Sequence, residues 1–588
     1  MSFRHLFAPA FPTASSRYCS PALAESFSGS AVVSTNAIAL IFLLYRLYSN
    51  KEFDPVKFSS RRTVPIFAFV LLILLGLQAP ALAATRNVIT NCGATGNGSV
   101  DDTAAIKTCI GQLQSGDTLL FPAGMYQVSS QLTINLSNIT IDGSNNTATI
   151  LNTATGNGAI GMLIGRNGIG NTNAALASAV ALSATANELD TAFTTVSSLG
   201  ASAGSYVYLQ QGGTDTSGGG NNSSCDPSGC RGEVVKIASV SGNTYTVTTA
   251  LHDTYSPAVN GATAQLVNGM LSGITIQNIT FDGNGGANSG VTYGLMVNDV
   301  ADSTISGVTS QNVQGAAIVS SVSFNTSWSN INVTHAGSAA CGGAVSINLA
   351  EGPIINTMNL SSLNPGAPNS GCLNNGAFGF EFLGAVTLAN VTGLTVDSAG
   401  TGGGRPMKIT STRYGTFNST TVKNGCCAYN GLSLEYYSSH NTFNNCVIQN
   451  NGGSGTGNGN AGINSFGNFN QFNTFNSCTI SGNGNEQILV NNFDALHLGA
   501  DSNVAITGST ISGPGVGISI NASNGCISNN TFVAGSGLST GISVMNTTTV
   551  GTGNTLNGFS SNLPSGTCQS GSTSTPPAPP TGLTAVVQ

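Results

Sequence analysis

Charge is scarce in this chain. Only 7% of its 588 residues are Asp, Glu, Lys or Arg, and the formal net charge is −7. So few basic residues on an acidic chain exclude nucleic acid as a partner. Disorder is excluded too, because the hydrophobic share is 40% and disordered chains combine low hydrophobicity with high net charge. No window carries an amphipathic helix long enough for a helical-repeat solenoid. Neither a CxxC pair nor a His/Cys cluster has zinc spacing. There is no calcium loop of spaced aspartates, so no cofactor is evident and calcium has no motif behind it.

What the chain does have is glycine, 76 residues of it, with Asn, Ser, Thr and Val in abundance. That composition suits short stacked strands joined by tight polar turns.

The N-terminal part has the layout of a targeting segment. VKFSSRR at 56–62 is basic, TVPIFAFVLLILLGL at 63–77 is apolar, and Ala81, Leu82 and Ala83 form a small-residue cleavage site. This is a secretory signal peptide at 56–83, its apolar run shorter than a typical membrane span. Residues 1–55 hold a second apolar run at 31–48. They read as a spurious or leader extension ahead of a start at Val56; the alternative is an N-terminal membrane anchor. After cleavage no stable anchor is expected, and the protein is secreted or held at a cell surface. Seven of the 16 basic and three of the 23 acidic residues precede Ala84, leaving nine against 20 and a mature net charge of −11.

Of 13 cysteines only Cys19 lies in the leader. The remaining dozen fits disulfides in an oxidising compartment. Cys225 and Cys230 are placed to clip a local loop, Cys92 and Cys109 to tie down the first element, and Cys426 and Cys427 to serve two separate partners.

From Leu136 a phrase recurs: a large apolar residue, polar residues, Thr-hydrophobe, then polar-Gly. It reads LSNITIDG at 136, IQNITFDG at 276, VTGLTVDS at 391, FNSTTVKNG at 417, FNNCVIQNNG at 443, FNSCTISGNG at 475, ITGSTISGPG at 506 and ISNNTFVAG at 527. Repeats of this length are stacked units that bury their faces against neighbours. Short alternating strands with Asn and Gly at the corners make each unit one coil of a parallel β-helix. The theme is interrupted over 151–272, where GSYVYLQ and GEVVKIASVSGNTYTVTTAL read as antiparallel strands with SGN as a hairpin turn. The expected organisation is an N-terminal cap and first coils at 84–150, a β-rich insertion at 151–272, a parallel β-helix at 273–568, and a Pro-rich linker and tail at 569–588.

NCGATGNGSVDDTAAIKTCIGQLQSGDTLLFPAGMYQVSSQLTI followed by LSNITIDG, over 91–143, resembles the opening of the pectate-lyase-like superfamily, which holds polygalacturonases, rhamnogalacturonases, polysaccharide epimerases and phage tailspikes. The segment with GEVVKIASVSGNTYTV and HDTYSPA is similar to an insertion in several members. The resemblance implies an all-β, right-handed parallel β-helix with a capping helix and a carbohydrate-related role. It also implies that Asp101 and Asp102 begin the capping helix. Physically, Asp102 suits an N-cap, and Ala105, Ile106, Cys109 and Leu113 share one helical face. The family marks of polygalacturonases are absent: the mature chain has no NTD and no GHG, and its only DD is at Asp101. MKIT with its flanking arginines is similar to the Arg-Ile-Lys segment with which those enzymes hold a carboxylate. Calcium-dependent pectate lyases pair an arginine base with an acidic cluster; the arginine is present, the cluster is not evident.

Four of the nine mature basic residues, Arg405, Lys408, Arg413 and Lys423, fall within 19 residues. Such clustering needs local carboxylates or a bound polyanion. Strand alternation points Met407 and Ile409 inward and Lys408 outward. Aligning inward hydrophobes places Glu381 and Glu435 two coils apart, ~10 Å, with Lys408 between them. That approaches the ~6.5–9.5 Å between the carboxyls of an inverting glycosidase. Glu381 and Glu435 are therefore the candidate general acid and base. Lys408 is a third catalytic candidate; in a lyase, Lys408 or Arg413 would take the proton α to a uronate. Arg405 and Arg413 are candidates for uronate carboxylates, and Tyr414, Tyr436, Tyr437 and His440 for sugar contacts. Asp397 shares a turn position with Asp142 and Asp282 but lies one coil from Lys423. The alternative for the Glu381/Lys408/Glu435 face is a solvated ion-pair patch between coils. The function expected is hydrolysis of an acidic polysaccharide, with lyase, epimerase or a non-catalytic glycan-binding adhesion role as alternatives.

Overall fold

A computed structural model describes residues 83–166 (without 157), 176–211, 231–286 (without 259–260), 292–337, 343–363, 378–398, 406–425, 430–452, 460–466, 470–490, 502–534, 537–544, 547–559 and 568. The leader and Pro-rich tail expected at the two ends lie outside the described residues, as do Cys225, Cys230, Cys426 and Cys427. Among the described residues no helix is long and apolar enough to cross a membrane.

Most coils contribute two short strands to one side, fused into one strand at Ser327–Ala336, Ile354–Ser361 and Asn390–Asp397, and a further strand to a thirteen-stranded parallel sheet. The recurrent phrase supplies the short pair. FNSTTVKNG gives Thr416–Asn418 and Thr421–Lys423, with Ser419 between them at φ 53°. At the matching corner Asn278, Asn445 and Asn529 have φ near 55°. Asn tolerates this left-handed conformation better than most residues, which is why it recurs there. Identical positions then align coil upon coil: Phe417 pairs with Phe443 and Phe443 with Phe475. Their rings stack in the core with centroids 4.5 and 5.0 Å apart. Buried amides stack likewise, Asn441 donating to Asn473 and Asn451 to Asn483. These ladders satisfy polar groups that a buried turn would otherwise orphan. Cys446–Cys478 links two adjacent coils, Cys92–Cys109 fastens the first element as expected, and Cys526–Cys568 ties the far end.

The helix Thr103–Gly111 packs against Leu132–Ile134, the terminal strand of the thirteen-stranded sheet, and sends Ile106 and Cys109 into the core. Its first residues correct the capping expectation. Asp102 stands at the N-cap position, but its carboxylate accepts from Thr95 and Gly96 in the preceding loop. Asp101 instead accepts from the Thr103 N–H and the Ser129 hydroxyl. Both acids hold the chain's entry together.

The insertion is a six-stranded antiparallel sheet between Val180–Ala181 and Thr263–Val267. Gly232–Ser241 and Thr244–Val247 form the hairpin around Gly242. Its boundary differs from the sequence reading: Ala159–Ile164, inside 151–272, pairs in parallel with Thr292–Ala301 and belongs to the solenoid. That strand was missed because its continuous apolar run lacks the repeat's turn residues. The insertion has its own core of Phe193, Leu209, Val235, Tyr245 and neighbours. A second apolar layer, Tyr206, Tyr208, Val234 and Val267, packs on Val322, Phe324, Leu349 and Ala385 of the thirteen-stranded sheet.

Candidate functional site

The outer face of the thirteen-stranded sheet carries a repeated irregularity. Val297, Ile347, Phe382, Ile409 and Leu434 point into the core, and so do Val300, Ala350 and Val386 three or four residues later. Strict alternation cannot do this. Between the two inward sets Asp299, Val322, Leu349, Ala385, Ser411 and Tyr436 all have positive φ, from 29° to 57°. Left-handed backbone is costly for a β-branched residue such as Val322, so the surrounding structure must impose it. The consequence is two successive outward residues per strand, and after them a row turned toward the insertion.

Glu381, Lys408, Ser433 and Asn464 form one outward row on neighbouring strands. Glu435 does not lie in that row: it pairs with Thr410, beside it. The Lys408 ammonium is nevertheless 3.6 Å from a Glu435 carboxylate oxygen and 4.6 Å from the centre of the Phe378 ring. Glu381 accepts the Gly343 N–H at 2.9 Å. The expectation of a solvated patch is overturned, since Glu381, Lys408 and Glu435 are each 2% exposed. Charges so buried persist only with partners. Nearby on the same sheet, the Ser346 and Thr410 hydroxyls and the Asn464 amide oxygen are buried without a hydrogen-bond partner on the chain. They can bond a ligand's hydroxyls.

Arg413 does not join this group. In register with Glu351 and Thr387 it belongs to the next row, under the insertion. There it meets Asp253 at 2.8 Å, and Arg231 grips the same carboxylate. Burial pushes the Asp253 carboxyl upward, but Arg413 and Arg231 outweigh it and hold its pKa low. Beside them His252 Nδ1 lies 2.8 Å from Glu233 and 3.7 Å from Glu351, with both His252 and Glu233 on the insertion. Tyr255 donates to Glu233, and Thr387 to Glu351. Burial raises the Glu351 pKa to about 8. Burial alone would discharge His252, yet Glu351 and Glu233 raise its pKa to about 9.

The remaining sequence candidates scatter. Tyr414 is 5% exposed, bonds Glu188 of the insertion and stacks on His440 at 4.5 Å; His440 stacks in turn on Phe472. This ladder occupies ring faces of Tyr414 and His440, which corrects the stacking half of the sugar-contact expectation for these two residues. Burial and then Arg413 press the His440 pKa down to about 4, so its ring is neutral. Tyr436 is half-buried at the bulge, and Tyr437 lies 5.5 Å beneath the Arg231 guanidinium. Asp397 sits on the opposite strand set, paired with Lys423 at 3.1 Å and bonded by Asn424. Arg405 lies outside the described residues. Sequence reasoning missed Glu188, Glu233, His252, Asp253 and Glu351; the one available signal was an acid inside the buried strand pattern GEVVKI.

Residues 85–364 match the family model described as rhamnogalacturonase A/epimerase, pectate lyase-like. Over that stretch the chain is similar to the pectate-lyase-like family, and its fold is a parallel β-helix. Among solved structures it is similar to the tailspike protein gp49 of Pseudomonas phage LKA1, at 16% identity over 82% of each chain, TM-score 0.55. It also overlaps the A-module of the Azotobacter vinelandii mannuronan C-5 epimerase AlgE4, at 14% identity over 82% of this chain and 98% of that one, TM-score 0.42. PfbA, a surface adhesin of Streptococcus pneumoniae, overlaps at 14% identity over 82% and 93%, TM-score 0.36. At these identities the likeness is one of fold. Comparison with curated protein sequences gives no match.

Proposed function

We propose that this is an exported protein acting on an acidic, uronate-containing polysaccharide, with glycoside hydrolysis as its reaction. The observation that carries the reading is the Lys408–Glu435 pair beside Glu381 on adjoining strands. Two carboxyls can divide the acid and base roles, and the ammonium between them can hold a uronate carboxylate. Ser346, Thr410 and Asn464 add groups suited to sugar hydroxyls. In a lyase or epimerase variant of the reading, Lys408 abstracts the proton α to the uronate. All three charged groups are buried. The family match to rhamnogalacturonase A and epimerases favours a polysaccharide, and the disulfides favour an oxidising, extracellular setting.

A second reading is favoured by that same burial. If Lys408 and Glu435 serve only each other, the protein is a non-catalytic glycan-binding rod. Purified protein offered a panel of acidic and neutral polysaccharides separates the cases. Reducing ends alone mean hydrolysis; reducing ends with unsaturated-uronate absorbance mean elimination. Glycan binding with neither signal supports the rod and sinks the enzyme.

A further inference from the structure

Four carboxylates, of Glu188, Glu233, Asp253 and Glu351, converge where the insertion meets the solenoid, and two guanidiniums, of Arg231 and Arg413, answer them. Glu233, His252 and Glu351 are 0%, 2% and 1% exposed. One ligating atom from each lies within 4.8 Å of the others. A further polar atom here, the Tyr208 hydroxyl, is buried without a partner among the described residues. The Tyr208 hydroxyl stands against Gly232, only 2.7 Å from where a Cβ would be, next in sequence to Glu233. A buried polar atom without a partner needs an explanation, and a bound ion with its coordinating groups supplies one.

We propose that Glu233, His252 and Glu351 form a divalent-cation site that rivets the insertion to the solenoid. One imidazole nitrogen and two carboxylates suit zinc or manganese rather than calcium, which takes oxygen alone. Two ligands come from the insertion and one from the solenoid strand Gly343–Glu351. The ion therefore closes a contact between separately formed sheets. The ion would bind at His252 Nδ1, the ring nitrogen that faces Glu233 and Glu351. No ligand spacing betrays the site in sequence, since the three residues lie 19 and 99 positions apart.

The test strips the purified protein with EDTA, then adds ZnCl2, MnCl2 or CaCl2 separately. Metal retained after desalting is counted by mass spectrometry, and Tm is read alongside. One zinc or manganese per chain is expected, with Tm raised by several degrees, and neither effect in Glu351→Gln or His252→Gln. Glu486→Gln, far along the solenoid, should bind as the wild type does. Circular dichroism establishes that the variants are folded; should both misfold, protection of the wild-type insertion from trypsin by the metal takes their place. Retention of well under one ion by the wild type overturns the proposal. So does equal retention by folded Glu351→Gln, or a preference for calcium.

Discussion

Arg413 on the solenoid and Asp253 on the insertion meet at 2.8 Å, and Arg231 binds the same carboxylate from the insertion's side. A single carboxylate thus joins two bodies whose apolar layers already touch. Removing one member of a buried pair leaves the other charge uncompensated, at a cost of about 3–5 kcal/mol. Asp253→Ala should therefore destabilise more than Arg413→Met, since it strands two guanidiniums, whereas Arg413→Met leaves Asp253 paired with Arg231. Urea unfolding followed by intrinsic fluorescence ranks the two. The reverse order would mean that Asp253 is not the hub.

His440 predicts a pH dependence. Its pKa is pressed to about 4 in the folded protein, against ~6.5 in an unfolded chain. Below ~6.5 the unfolded state takes up a proton that the folded state refuses. Stability is therefore present in full above that pH and is lost as pH falls toward 4. After allowance for partial exposure the loss is about 1–2 kcal/mol. His440→Phe continues the Tyr414–His440–Phe472 stack without a titrating group. It should flatten the decline between pH 6.5 and 4 while leaving stability at pH 7.5 nearly unchanged. An unaltered slope in that variant would place the titration elsewhere.

The coil was legible because its periodicity is physical. Thr-hydrophobe pairs, Asn at left-handed corners and Phe417, Phe443 and Phe475 at one repeat position each state the fold locally. The site was less so. The inward anchors correctly set Glu381 next to Lys408. Glu435 follows Leu434 and so pairs with Thr410, one alternation step beyond the row of Lys408 and Ser433; the positive-φ residue at Ser411, after that pair, adds a second outward position that no alternation rule anticipates. Burial was not legible at all, because it depends on what covers the sheet's outer face. The clasp residues Glu233, Asp253 and Glu351 come together only through docking of the insertion, a long-range event with no local pattern.

The Cys446–Cys478 disulfide gives a third test. It closes a segment of 32 residues between two stacked coils, and restricting an unfolded loop of that size contributes about 3–4 kcal/mol. Cys446→Ser with Cys478→Ser should lower stability by that order. In a solenoid each coil contacts only its neighbours, so proteolytic cleavage should begin beyond Asn445 while the coils before Phe417 stay protected. Uniform loss of protection would instead mean that the solenoid unfolds as a single unit.

The candidate acid, base and cation make the most consequential prediction. If Glu381 and Glu435 handle protons, Glu381→Gln and Glu435→Gln should each lower turnover by about 10²–10⁴-fold, with polysaccharide binding retained. If they are structural, the same changes should move Tm and leave any turnover in the remaining folded protein intact. Lys408→Met separates the roles further. It removes the partner of Glu435, so destabilisation is expected in either case. Only an enzyme using the ammonium to hold a uronate would also show a raised KM for acidic substrate and an unchanged KM for a neutral analogue. Measuring kcat and KM of all three variants beside their melting temperatures distinguishes a reaction centre from an ion pair that holds coils together. Equal shifts in Tm without a change in either kinetic constant would mean that this face only holds coils together and that the turnover belongs to other residues.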